Sequence, residues 1–312
     1  MPGSGAMGSN LGIWEFLSQT NTYADFIPFE DKYRFVDDLS TIEVINLLNI
    51  GLTSYNIHAH VPSDIAVHGQ YIPSEHLKSQ QYLHKLNEWA NSKQMILSEK
   101  KTKAMIFNFS KDSQFSTRLS LKGEIIDTVD KMKILGCIIT NKLSWDENCD
   151  LLIRKVNARM QLLRKALSFG ATQQEMVQLW IVYCRSVLEQ SCVLWHSTLT
   201  QKNIDDLERC QKSFAKLTLK QKYVSYEQSL VTLNLISLNE RRKFLNWKWA
   251  QKGIKNNTLN DLFPLQNKKH HMNTRYPDKY IIGNWNTERV RKSSIIYMRH
   301  LLNEENQKMC EN

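Results

Sequence analysis

Apolar positions along this chain recur at helical spacing near its start, at strand spacing through its second quarter, and at helical spacing again from residue 146 to about 254. Ser40-Thr41-Ile42-Glu43 reads as a capping box opening a short helix over Ile42, Val44, Ile45, Leu47 and Leu48, which Gly51 closes. Residues 56–74, interrupted by Pro62 and Pro73, read as a surface loop. Ser74 then caps a helix running to about Ser92, with Leu77, Tyr82, Leu83, Leu86 and Trp89 on its inner face. From Lys103 the period shortens. Ala104 to Phe109 reads as a strand, Leu119–Leu121 and Ile125–Val129 as a hairpin about Lys122-Gly123-Glu124, and Lys133 to Thr140 as a further single strand.

Beyond Trp145 the pattern is helical. Leu151, Leu152, Val156, Met160, Leu163 and Leu167 mark one face of a helix that Gly170 stops. Thr172-Gln173-Gln174-Glu175 is a second capping box, opening a helix to about Trp195; Thr200 starts another, and Ser237-Leu238-Asn239-Glu240 caps a fourth. Short polar loops between helices imply a bundle. The segment from Asn256 is polar and basic, with periodicity returning only at Ser293 and a last short helix over Ile295 to Leu302. The class is therefore α+β, in three parts: 1–145 strands and helices, 146–255 helices, 256–312 a basic polar tail.

Composition narrows the class. With 312 residues, 42% apolar and 10% aromatic, the chain is globular and long enough for one large or two ordinary domains. Its longest apolar runs are far shorter than a membrane span, and no charged-then-apolar leader opens it, which argues for an intracellular protein with no membrane partner. The six cysteines form no C-x-x-C pair, and His270-His271 with Cys310 has no metal-ligand spacing, so no zinc site is expected. The net charge of +10 is uneven. Residues 1–40 hold six carboxylates against Lys32 and Arg34, whereas residues 241–312 hold fifteen Lys or Arg against six Asp or Glu. An acidic end beside a basic remainder suits metal chemistry feeding a nucleic-acid groove, though scattered basic charge also serves solubility.

The candidate chemistry centres on Tyr33-Arg34-Phe35-Val36-Asp37-Asp38-Leu39. Two adjacent carboxylates after an aromatic and a β-branched residue are hard oxygen ligands on a tight turn, the arrangement a two-metal Mg2+ site needs. Taken alone, such a pair is more often a helix cap that accepts backbone N–H bonds. Arg154, Lys155, Arg159, Arg164 and Lys165 could track phosphates along their helix, or form a solvated basic face. Trp195 and His196 read as structural, without a motif-placed acid for nucleophile chemistry, and Trp247 and Trp249 read as packing.

The order of motifs resembles the reverse transcriptases of non-LTR retrotransposons from the middle of the palm onward. Phe35-Val36-Asp37-Asp38 looks like their catalytic turn. Trp89, Met95-Ile96-Leu97-Ser98 and Lys101-Thr102-Lys103-Ala104-Met105-Ile106-Phe107 are similar to the next palm motif, and Leu135-Gly136-Cys137-Ile138-Ile139 with Leu143-Ser144-Trp145 to the primer grip. Arg185 to Glu189, Trp195-His196-Ser197, Leu207 to Lys212, Tyr226 and Arg241-Arg242 resemble the helical region that follows. Pro2 to Gly12 resembles the template-positioning loop, with Ala6-Met7 where Pro-Gln is expected, and reads equally as a Gly/Ser-rich linker.

The resemblance implies a partial polymerase palm followed by an all-helical thumb and C-terminal region, and a nuclear location. It implies RNA-directed DNA polymerase chemistry with two Mg2+ ions, on an RNA template and a DNA primer. Asp37 would be the firmer metal ligand and Asp38 the second. Lys101 would face the incoming triphosphate, if it is not simply solvated, and Gly136 would let the grip approach the primer terminus, if it is not a strand bulge. The fingers and the strand bearing the first metal-binding Asp precede this region in such enzymes. The chain would then need another chain or segment to supply them, and would have little or no polymerase activity alone. The alternative is a non-enzymatic domesticated module that binds nucleic acid or protein.

Overall fold

The computed structural model describes residues 32–35, 38–41, 70–71, 74–108, 115–257, 259–265, 279–283 and 287–311. They form a mixed α+β structure in two compact units, the first comprising 1–132 with 140–142 and the second 133–139 with 143–312. Among the described residues no helix is long and apolar enough to cross a membrane.

In the first unit β1 (Lys32–Phe35) and β2 (Asp38–Thr41) pair antiparallel, in a register that sets Phe35 opposite Asp38 and Lys32 opposite Thr41. Ser40 and Thr41 are thus strand residues, not the opening of a helix. The rest of that expected helix, and the loop to residue 69, lie outside the described residues. Two short parallel pairs follow: β3 (Gln70–Tyr71) with β5 (Phe115–Ser116), and β4 (Lys103–Ala104) with β8 (Asp127–Thr128). The strand expected from Ala104 to Phe109 stops at Ala104. Met105 to Asn108 continue outside any strand, and Phe107 is exposed.

Among the described residues of this unit the long helix is α1 (Lys78–Ser92). Ser74 lies in a 3-10 turn before it, and Leu77 occupies the N-cap position with no side-chain cap. Tyr82, Leu86 and Ala90 are buried with Leu77, Leu121 and Ile126. Gln80 locks α1 to the sheet. Its side-chain amide donates to the Ser120 carbonyl at 2.9 Å and accepts from the Ser120 N–H at 2.9 Å, the two bonds a neighbouring strand would make. β6 (Ser120–Leu121) and β7 (Glu124–Ile125) form the expected hairpin, turning on Lys122 and Gly123, both at positive φ.

The sequence 133–140 is not one strand. β9 (Lys131–Ile134) and β10 (Cys137–Thr140) form a second hairpin about Leu135 (φ 48°) and Gly136 (φ 85°). Two consecutive positive φ values give the mirror-image turn whose twist matches paired strands, and glycine takes the second position without strain.

The second unit is helical. α2 (Asp146–Ser168) buries Leu152, Val156, Met160 and Leu163, and ends at Gly170, φ 89°. α3 (Gln173–Leu179) opens on a complete capping box: the Thr172 hydroxyl accepts from the Glu175 N–H, and the Glu175 carboxylate from the Thr172 N–H. The helix continues as a π turn, Trp180–Arg185, and as α4 (Ser186–Leu188). It does not reach Trp195: Ser191 at φ 53° breaks it before α5 (Cys192–Trp195). α6 (Gln201–Leu219) is capped by Thr200, α7 (Tyr226–Thr232) by Ser225 and α8 (Leu238–Lys255) by Ser237. α9 (Glu288–Arg291) and α10 (Ser294–Glu311) finish the chain.

The main core joins α2, α3, the π turn and α6, with Trp180 stacked on Phe214 at 4.7 Å and 11°. A smaller core of Ala250, Phe263, Met298 and Leu302 holds α10 against α8, so the C-terminal segment is packed structure at both ends of residues 259–302.

These interactions set two stabilities. Phe214→Ala empties a fully buried ring site and is expected to cost about 3–5 kcal/mol, while Thr172→Ala loses one cap and costs about 1 kcal/mol. Urea unfolding of both variants checks this. A Phe214→Ala loss no larger than that of the cap variant contradicts the core assignment.

Candidate nucleic-acid interface

Asp37 lies outside the described residues, and of Asp38 only the backbone is described. That backbone places Asp38 at the first position of β2, opposite Phe35, three residues beyond the end of β1. Among the described residues no group of three His, Cys, Asp or Glu side chains is placed to hold a metal ion.

Lys101 sits exposed in the turn after Ser98, where Thr102 donates its hydroxyl to the Ser98 carbonyl at 2.9 Å. Gly136 makes a close approach, and the group approached is within the protein: a Cβ there would stand 2.6 Å from Gln190 Nε2, which itself donates to the Leu135 carbonyl at 3.4 Å. The hairpin tip therefore rests on the end of the helix formed by α3, the π turn and α4.

The five basic residues of α2 do not share one face. At 100° per residue Arg154 and Lys165 fall on the solvent ridge, Lys155 and Arg159 on one flank and Arg164 on the other. Lys155 and Arg159 are half-buried. Arg159 donates to the Tyr183 carbonyl. Tyr183 lies within the π turn, whose backbone pairing is shifted by one residue from that of an α-helix.

A basic face that does line up lies on α8. Arg241, Phe244, Lys248, Lys252 and Lys255 are spaced three, four, four and three residues apart, which keeps them on one side of the helix over about 21 Å. The three lysines are exposed, Phe244 is 42% and the neighbouring Trp249 39% exposed, and no carboxylate occurs between Glu240 and Lys255. The opposite face, Leu238, Arg242, Asn246, Ala250 and Gly253, is buried and fixes which side points outward. Cations at phosphate-like spacing interleaved with aromatic rings are what a strand-tracking surface requires. The absence of acids over these fifteen residues was the sequence signal for it. Trp249, expected as packing, is on the surface, whereas Trp247 packs into the smaller core.

The motif residues of the helical region converge on one buried polar seam. Arg241 Nε lies 3.1 Å from Glu189 Oε1. Gln211, fully buried, accepts from Trp180 Nε1 at 3.3 Å and donates to the Tyr226 hydroxyl at 3.0 Å and the Ile236 carbonyl at 2.8 Å. Glu208 accepts from the Tyr226 hydroxyl and from the Leu238 N–H at 3.0 Å. Arg242, also fully buried, donates Nε to His196 Nδ1 at 3.4 Å, lies over the Trp195 ring, and faces Glu208 and Glu189 electrostatically. His196 Nε2 is 3.3 Å from the Tyr297 hydroxyl. These residues hold helices together, in accord with the structural reading of Trp195 and His196.

Burial, then the charges of Arg242 and Lys243, push the His196 pKa down to about 3. As pH falls below about 6.5 the unfolded chain takes up a proton that folded His196 refuses. Its contribution is therefore whole above that pH and is lost towards pH 3, at no more than about 1.4 kcal/mol per pH unit. Denaturant midpoints between pH 7 and 5 should fall in the wild type and fall less in His196→Gln; parallel profiles would count against the buried neutral imidazole. No protein-family model matches the chain, and no curated protein or solved structure is significantly similar to it.

Proposed function

We propose that this chain binds single-stranded nucleic acid along the α8 ridge, as part of a reverse transcriptase of the non-LTR retrotransposon type. The observation that supports the binding is the run of exposed Lys248, Lys252 and Lys255 in line with exposed Phe244 on a helix whose opposite face is buried. Lysines neutralise phosphates and release counterions, while exposed rings offer bases a stacking surface that tolerates any sequence.

The polymerase part of the reading is supported by the motif order, with Asp38 opening β2 in the pairing of β1 with β2. Asp37 and Asp38 would hold Mg2+, which supplies charge neutralisation at the transferring phosphate. The residues of the chain then have separable tasks: carboxylates on the first unit for the metal, cations on the second for the strand.

A second reading, a non-enzymatic module that contacts protein, is favoured by an open apolar groove of about 610 Å³ lined by Ala166, Phe169, Leu179, Val182 and Tyr183, with Phe169 89% exposed.

Replacing Lys248, Lys252 and Lys255 together by Ala should lower the slope of log affinity against log salt for a single-stranded oligonucleotide by about 2, at about 0.7 per lost phosphate contact. Asp37→Asn should leave that binding intact and abolish any Mg2+-dependent primer extension. Unchanged salt dependence in the triple variant would remove the α8 interface. Extension that survives Asp37→Asn would remove the metal role of that carboxylate, and absence of oligonucleotide binding in the wild type would favour the protein-contact module.

A further inference from the structure

We propose that Arg185 and Arg241 form a phosphate-binding clamp at the N-terminal end of the α8 ridge, with Glu189 as the resident anion that holds the two guanidinium groups side by side. The source of the phosphate, a nucleic-acid strand, rests on the reading above; the clamp itself does not.

The geometry is that of two cations sharing one acceptor. Arg185 Nε lies 3.2 Å and Arg241 Nε 3.1 Å from the same oxygen, Glu189 Oε1. Only Arg241 has hydrogen-bond geometry towards it; Arg185 Nε is at ion-pair distance but poorly aligned, and is buried without a hydrogen bond. The trio carries a net charge of +1 in a partly desolvated place, with side chains 17%, 27% and 15% exposed for Arg185, Arg241 and Glu189. Burial first, and then the neighbouring Arg241, weaken the hold of Arg185 on its proton, against the pull of Glu189. A second anion would relieve that repulsion.

Each guanidinium carries five N–H donors in a planar fork; Arg241 spends its Nε on Glu189 and Arg185 leaves its Nε unbonded, so the pair retains donors for a tetrahedral oxyanion. Arg241 is also stacked against Phe244 at 5.7 Å, which restrains the plane of its fork. Because Arg241 begins the face that continues through Lys248, Lys252 and Lys255, a phosphate held there lies in line with the ridge. Arg185 and Glu189 come from the far end of another helix. The site therefore exists only when α4 and α8 are packed together, and neither arginine alone marks it in the sequence.

The ligand chemistry is a phosphate group, supplied either as an internal phosphodiester or as the terminal phosphomonoester of a strand. The test is isothermal titration of the full chain with inorganic phosphate at low ionic strength, for the wild type, Arg185→Lys, Arg241→Lys and Glu189→Gln, with a thermal melt of each. The same proteins are titrated with one oligonucleotide in 5′-phosphorylated and 5′-hydroxyl forms. Saturable phosphate binding is expected. Either lysine, which keeps the charge but loses the fork, should weaken it about tenfold, and Glu189→Gln should tighten it by removing the competing anion. A preference for the 5′-phosphorylated strand identifies the monoester as the source, and equal affinity displaced by phosphate identifies the phosphodiester.

Lysine variants that melt earlier yet bind phosphate as tightly as the wild type would show a purely structural trio and overturn the clamp, as would a folded wild type with no saturable binding. Phosphate binding without oligonucleotide binding would leave the clamp standing and the nucleic-acid reading fallen. Salt-sensitive oligonucleotide binding with no effect of the arginine variants would do the reverse.

Discussion

A guanidinium with no accessible surface sits in the helical unit, and no carboxylate among the described residues lies within ion-pair distance of it. Burying a cation is costly unless its surroundings compensate, and Arg242 is compensated only collectively. Its Nε needs an acceptor, so His196 must be neutral with Nδ1 unprotonated; Trp195 presents its ring face; Glu208 and Glu189 supply negative potential from a distance. Each partner is in turn fixed by another element. Glu208 is held by Tyr226 and by the N–H that opens α8, and His196 by Tyr297 of α10. The direct pairing is partial: Arg242 Nη1 and Nη2 and Glu208 Oε2 are buried without a hydrogen bond, so the guanidinium depends on the whole seam rather than on any one partner. The helices are thereby locked in one arrangement, where hydrophobic contact alone would tolerate sliding.

That lock gives α8 its direction. α8 carries polar Arg242 and Asn246 inward together with Leu238 and Ala250, while Phe244 and Trp249 are exposed. The seam, the two cores and the Ser237 cap fix that choice together. Once it is made, Lys248, Lys252 and Lys255 have nowhere to go but solvent.

This explains what could be read from the sequence. Devices that act within four residues were legible: the Thr172–Glu175 box, the caps at Thr200 and Ser237, the Lys122-Gly123 turn and the end of α2 at Gly170. The apolar stripe of α2 was legible because its inward residues are uniformly apolar. The turn at Leu135-Gly136 was not, because an apolar run continues through it and no Asn or Asp announces it. Nor was the π turn, whose one-residue shift in pairing has no composition of its own; its mark is the Arg159 bond to Tyr183. Rotation about the helix axis spreads Arg154, Lys155, Arg159, Arg164 and Lys165 over a ridge and two flanks, information that a list of charges does not contain. On the candidate catalytic turn, the hairpin agrees with strands flanking the carboxylates, and the side chains lie outside the described residues.

Six cations between Arg241 and Lys255 repel one another, and a helix bearing them costs free energy that a free peptide would recover by unwinding. Two features make the cost bearable here. The outward lysines stand in water, whose high dielectric keeps the repulsion between neighbours about one turn apart weak; and the inward arginine is held by groups on other elements, so unwinding α8 would strand His196, Glu208 and Glu189 as well. Repulsion that cannot be relaxed by moving the helix is relaxed by whatever anion arrives. A polyanion meeting this face finds its counter-charges already in place and in line, and the ordering cost of binding was met when the core formed.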